Sequence, residues 1–226
     1  MAEIRFSGVH HRFGERTVLA GIDLTLAEHR VGLVGANGSG KSTMARMING
    51  LVSPTAGTVT VDGLDTTAKG RAVRRQVGFV FTDPDNQIVM PTVAEDVAFS
   101  LRRSGLTKEQ IAERVTQTLD RFALAGHADH PTHLLSGGQK QLLALAAVLV
   151  TRPRVIVADE PTTLLDLRNA RMVSDLLYGL PEQLVLVTHH LHLLDGFDRV
   201  VVIDAGRVVA DGPPAQALPA YTGLLA

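Results

Sequence analysis

Gly35-Ala36-Asn37-Gly38-Ser39-Gly40-Lys41-Ser42-Thr43 is the stretch whose reading decides the fold. It has the form Gly-x-x-x-x-Gly-Lys-Ser. An apolar run at 31–34 leads into it, and residues 43–51 carry apolar side chains at helical spacing. Strand, glycine loop and helix in that order read as a phosphate-binding loop. The glycines let backbone N–H groups turn inward around phosphate oxygens, and the helix N-terminus adds partial positive charge. Lys41 is expected to reach the β- and γ-phosphates of a nucleotide, and the Ser42 hydroxyl to bind Mg²⁺. Every residue of the stretch is a candidate nucleotide contact.

A second stretch, Val155-Ile156-Val157-Ala158-Asp159-Glu160, reads as a buried strand ending in two carboxylates. Beside a phosphate loop, Asp159 is placed to hold Mg²⁺ through water. Glu160, one residue further, is placed to polarise an attacking water as general base. The apolar runs at 155–158 and 184–187 suit the centre of a parallel sheet covered on both faces.

Working outward, alternation at 4–13 and 18–26 around a turn at Gly14-Glu15 predicts an N-terminal antiparallel pair. A strand over 58–61 ends at the turn signal Asp62-Gly63, and 77–81 is another compact strand. From 83 to 135 the pattern is mainly helical, with helices expected over 93–103 and 108–122. A helix over 142–150 and a hairpin of 200–203 with 208–210 complete the pattern. The fold class is α/β, one domain over 1–226. Its nucleotide-binding core, with a parallel sheet and an antiparallel β subdomain, spans 1–82 and 136–226. A helical subdomain is inserted at 83–135.

The 226 residues, 45% hydrophobic, suit one large α/β domain with an insertion. A net charge of −1 provides no basic field of the kind that attracts nucleic acid. With no cysteine there is no disulfide, thiolate chemistry or Cys-based zinc site. The start, Met-Ala-Glu-Ile-Arg-Phe, lacks the pattern of a secretory signal. The longest apolar stretch, 142–150, is too short to cross a bilayer core of ~30 Å as a helix. The expected location is therefore cytoplasmic, or peripheral on the cytoplasmic face of the cell membrane through a partner.

Leu135-Ser136-Gly137-Gly138-Gln139 adds a second phosphate-directed surface. Ser136 offers a hydroxyl, Gly137 and Gly138 expose backbone N–H groups, and the following helix favours an anion at its N-terminus. With the loop and the carboxylates, this segment resembles the nucleotide-binding subunit of ATP-binding-cassette (ABC) transporters, over nearly the whole chain. The resemblance implies a RecA-like P-loop NTPase core, ATP and Mg²⁺ as ligands, and a head-to-tail homodimer. In such a dimer Ser136, Gly137, Gly138 and Gln139 cap the ATP held by the other copy. It also implies a switch role for His189 against the γ-phosphate. Asp166, in Thr163-Leu164-Leu165-Asp166, becomes the acidic member of a loop that communicates across the dimer. Phe13 would stack on adenine, with Val18 completing the shelf. One residue departs from the family pattern. Where a Gln usually follows the strand at 77–81 and touches Mg²⁺ and the attacking water, this chain has Thr82. Thr82 keeps an oxygen as a candidate Mg²⁺ ligand but is shorter by two heavy atoms, so slow or strongly partner-dependent hydrolysis is expected.

Three function classes use such a loop: a transporter motor, a soluble cassette ATPase acting on DNA or ribosomes, and a P-loop kinase. A kinase has no need of residues 135–139. A soluble cassette usually carries long insertions and remains the alternative from a different class. Among transporters, Asp83-Pro84-Asp85-Asn86-Gln87-Ile88-Val89 resembles the energy-coupling-factor (ECF) group of vitamin and metal importers. That implies a transmembrane coupling protein and a substrate-binding membrane subunit as partners, and no nucleic acid. Asp83 and Asp85 would then face basic residues of the coupling protein. Ala27-Glu28-His29-Arg30-Val31-Gly32 and the apolar Leu142 are most similar to biotin-uptake ATPases, with cobalt or nickel uptake as the alternative. The spacing of His127, His130 and His133 invites a metal site, but Pro131 breaks any continuous helix face there.

Overall fold

A computed structural model describes residues 1–224. β1 (Ile4–Phe13) and β2 (Arg16–Leu26) pair antiparallel, their side chains alternating largely between core and solvent. β3 (Arg30–Val34) is buried at every position and runs into the glycine loop, after which α1 (Lys41–Ile48) begins. β4 (Ala56–Val61), β5 (Leu64–Asp65), the short α2 (Gly70–Val73) and β6 (Val77–Val80) follow. Next come α3 (Val93–Phe99), α4 (Lys108–Arg121) and α5 (Gly137–Leu149). β7 (Val155–Asp159), α6 (Leu167–Tyr178) and β8 (Gln183–Val187) lead to β9 (Arg199–Asp204), β10 (Arg207–Gly212) and α7 (Pro214–Leu224).

The strands form two sheets, ordered β2-β1-β4-β5 and β10-β9-β3-β8-β7-β6. In the second, β3 pairs in parallel with both β8 and β9, and β7 pairs in parallel with β8. β3 is therefore interior, which explains why Val31, Leu33 and Val34 are apolar on both faces and fully buried. Parallel pairing also brings the C-terminal ends of β3, β7 and β8 to one edge, where ligands of open α/β sheets bind. The glycine loop, Asp159-Glu160 and His189 all lie at those ends. Met44, Met47 and Ile48 bury the inner face of α1, which packs on β7 and β8.

The chain divides into two compact units. The first comprises Met1–Phe79, Arg154–Glu160 and the chain from Leu180 onward, and holds the sheets. The second comprises Val80–Pro153 and Pro161–Gly179, and is helical. In it α3, α4 and α6 pack against α5, whose Leu142, Leu143, Leu145 and Leu149 are buried all round. Capping boxes, Thr92 with Glu95 and Thr107 with Gln110, open α3 and α4.

The helical unit is wider than the expected insertion at 83–135, because α5 and α6 belong to it. The helix expected over 93–103 stops at Phe99. Ser104 turns its hydroxyl back to the Leu101 carbonyl at 2.7 Å, and Gly105 follows at φ 79°. The helix expected over 142–150 starts earlier, at Gly137, because Ser136 and Gln139 cap it there. α2, α6 and α7 were not foreseen.

Candidate nucleotide-binding site

Two close approaches require glycine in the loop. A Cβ on Gly35 would lie 2.0 Å from the Ile203 carbonyl oxygen, and one on Gly40 2.7 Å from Leu19 Cδ2. Gly40 also takes φ 110°, a left-handed turn that launches α1. Ala36, Asn37 and Gly38 are exposed at the tip. Buried Lys41 bends back over the loop, and its Nζ donates to the carbonyls of Gly35 at 2.7 Å and Ala36 at 3.0 Å. Burial pulls this ammonium below its ordinary pKa, and Glu160 and Asp159 oppose that shift.

Ser42 Oγ donates to Asp159 Oδ1 at 2.9 Å, which joins the first turn of α1 to the end of β7. Arg46 reaches Asp159 Oδ2 at 3.4 Å. Asp159 is only 1% exposed, and burial raises its pKa. The Ser42 hydrogen bond and Arg46 pull it back, while Glu160 adds to the rise. Two oxygens from Ser42 and Asp159, one on a carboxylate that burial leaves wanting positive charge, match a hard divalent cation such as Mg²⁺.

Glu160 leaves β7 at φ 53°, a left-handed conformation for a non-glycine residue, of the kind that costs about 1–3 kcal/mol. Its N–H is held by the Val187 carbonyl at 2.9 Å. The side chain meets His189, with Oε2 2.8 Å from Nδ1. The His190 ring lies tilted against that of His189, centroids 4.0 Å apart, and burial, then His189, pushes its pKa down.

A cleft of ≈ 320 Å³ brings Phe13, Val18, the loop residues Asn37, Gly38 and Gly40, Lys41, Ser42, Thr43 and Glu160 together. Phe13 is 58% exposed and meets the ring of His11 edge-on at 4.5 Å, so one face is open. Arg16 also lines the cleft, and neither it nor Arg46 stood out in the sequence. Their roles depend on neighbours that only the fold supplies.

The remaining candidates lie in the helical unit. Ser136 is the N-cap of α5: its Oγ accepts from the Gln139 N–H at 3.3 Å, and Gln139 Oε1 accepts from the Ser136 N–H at 2.9 Å. Ser136 and Gly137 are exposed. A Cβ on Gly138 would fall 2.4 Å from the Asn169 side chain. Asp166 caps α6 by accepting from the Asn169 N–H at 2.9 Å and Nδ2 at 2.7 Å, and the backbone bond holds its carboxylate below the usual range. These contacts seat Asp166 and the start of α5 on one neighbour, Asn169.

Thr82 is half-buried just after β6. Gln87 accepts from the Phe81 N–H at 3.2 Å and donates to the Ala144 carbonyl at 2.9 Å, so it ties the segment to α5. The two aspartates expected to face a membrane partner have engagements of their own. Asp83 accepts from the Asp85 N–H at 3.0 Å, and Asp85 pairs with Lys140 at 2.7 Å. Among the described residues, no three His, Cys, Asp or Glu side chains gather to hold a metal.

A buried strand, a glycine loop and a helix whose hydroxyl bonds a strand-end carboxylate define a P-loop nucleoside triphosphatase. A family model described as "ABC transporter" matches residues 19–163, and the chain belongs to that family. It is an ATP-binding subunit and an ATPase. A Deinococcus radiodurans ABC transporter ATP-binding protein is 53% identical, covering 98% of this chain and 97% of the relative. The biotin transport ATP-binding protein BioM of Rhizobium etli is 45% identical, covering 99% of each. The structure of cbiO1 from Clostridium perfringens, part of the ABC transporter complex cbiONQ, superposes with a TM-score of 0.84. It is 31% identical, covering 98% of this chain and 92% of that one. Among the described residues, no helix is long and apolar enough to cross a membrane.

Proposed function

We propose that the chain is the ATP-hydrolysing motor of an ECF-type importer for biotin. It would act as a homodimer held to the cytoplasmic face of the membrane by a coupling protein and a substrate-binding subunit. ATP lies between Gly35–Thr43 of one copy and Ser136–Gln139 of the other. The observation that carries the ATPase reading is the convergence of Lys41, Ser42 and Glu160 on one cleft, with Asp159 bonded to Ser42. The full-length identity to BioM supports the solute, and the likeness to cbiO1 supports attachment to membrane subunits.

Lys41 exchanges its loop carbonyls for the β- and γ-phosphates, which also relieves the cost of its burial. Phe13 and Val18 receive adenine. Ser42 and Asp159 would hold Mg²⁺, which when bound neutralises phosphate charge. Glu160 takes a proton from water onto its carboxylate. The water oxygen bonds to the γ-phosphorus as the bond to the β–γ bridging oxygen breaks, and ADP leaves with that electron pair. His189, donating from Nδ1, aims the Glu160 carboxylate. Ser136 and the Gly137 and Gly138 N–H groups of the second copy complete the phosphate shell.

Glu160→Gln keeps the size and the polar contact of the side chain but cannot accept the proton. With ATP this variant is expected to accumulate as a dimer in size-exclusion chromatography, with turnover down about a hundredfold or more. Turnover at the parent rate would show that Glu160 is not the base. ATP-driven biotin uptake into vesicles holding the membrane subunits tests the solute; uptake of cobalt or nickel instead would overturn it.

A further inference from the structure

The start of α5 is tied to two histidines whose hydrogens can be placed by elimination. The Ser136 N–H can only donate, so the Gln139 atom 2.9 Å from it is the amide oxygen. The other amide atom, Nε2, is then a donor. It lies 3.0 Å from His127 Nε2, which must carry a lone pair. A neutral imidazole bare at Nε2 has its proton on Nδ1. That Nδ1 lies 2.7 Å from His130 Nδ1, which must accept. The run therefore has one direction: Ser136 to Gln139, Gln139 to His127, His127 to His130.

Held by the Ser136 N–H alone, Gln139 is anchored at its amide oxygen while its NH₂ end remains without a fixed partner. His127 supplies that partner, and only one orientation of the amide satisfies both neighbours. We propose that His127 is a positioning residue for Ser136–Gly138: by accepting at Nε2 it locks the Gln139 amide, which in turn holds the Ser136 backbone in its capping turn. It needs to touch neither nucleotide nor water to act. The inference rests on the reading of Ser136–Gln139 as the cap on ATP held by a second copy.

The test uses the full chain in the Glu160→Gln background. His127→Met fills the space with only a weak thioether acceptor, and His127→Gln restores an amide oxygen at similar reach. The readouts are fluorescent-ATP affinity at low protein concentration, where single copies bind, and the dissociation constant of the ATP-induced dimer. The expected result is unchanged ATP affinity for both variants. Dimerisation is expected to weaken about three- to tenfold in His127→Met, the value of one neutral hydrogen bond, and to recover within about twofold in His127→Gln. Undiminished dimerisation in His127→Met overturns the proposal. Equal weakening in both variants also overturns it, since packing alone then accounts for His127. If the His127-containing parent forms no ATP-dependent dimer, the composite-site reading fails first and takes this inference with it.

Discussion

Asp159 is a carboxylate whose ionised form folding makes costly, because burial raises its pKa despite Ser42 and Arg46. A carboxylate raised in this way weakens the fold as pH climbs from the ordinary Asp range, ~4, through its higher folded value. Asp159→Asn keeps the acceptor for Ser42 and removes the charge. Above the folded pKa the nucleotide-free variant is expected to melt about 2–4 °C higher than the parent, the shift roughly 1 kcal/mol produces in a chain of this size. The gain should vanish near pH 4, and a variant that melts lower at pH 7 would contradict the assignment. Thr82 permits the opposite experiment. Thr82→Gln restores the residue of the family pattern, proposed to act on the metal and the attacking water, so partner-free turnover is expected to rise about tenfold, one hydrogen bond to a charged centre. Unchanged turnover and Mg²⁺ affinity would remove Thr82 from the account. Lys41, Ser42, Asp159 and Glu160 were legible in the sequence because each sits in a motif whose spacing sets its place. Arg16 and Arg46 were not, since the groups around them are distant in sequence and become neighbours only in the fold, and His127 drew notice only as a metal candidate, not for its contact with Gln139.

Among the elements, the N-termini of α5 and α6 are coupled through Asn169. Gly138→Ala would push the Asn169 side chain off Asp166, because the new Cβ would meet it at 2.4 Å. Losing that side-chain hydrogen bond beside the α6 cap is expected to lower the melting temperature by about 2–4 °C, a hydrogen bond being worth ~1 kcal/mol. An unchanged melting curve would show that Asn169 moves aside freely. Strands were the legible elements, since alternation in β1 and β2 and unbroken apolar runs in β3, β7 and β8 reflect one- and two-sided burial. α6 escaped notice because it buries only Val173, Ser174 and Leu177 and leaves Leu167 91% exposed. α7 was hidden by Pro219 inside it. Past Phe99 the backbone switches to i to i−3 bonds, Leu101 to Ala98 and Arg102 to Phe99, a local choice that hydrophobic spacing does not encode. The segment after β6 is similar: Asp85 pairs with Lys140 on α5, a contact that the sequence pattern does not encode.

At the scale of the whole molecule, the phosphate loop and acidic strand end belong to one compact unit and the Ser136–Gln139 turn to the other. In the proposed dimer these surfaces meet across two copies. Two inactive variants test it together. Lys41→Ala loses the loop's phosphate contact but keeps a sound cap. Ser136→Asp keeps a good helix cap but sets a carboxylate against the γ-phosphate. ATP turnover of their equal mixture is the direct measurement. Each variant alone should be near background. Random pairing makes roughly half the dimers mixed, each with one complete site, so the mixture should recover about a quarter of the parent turnover. A mixture no more active than its components would contradict a site shared between copies.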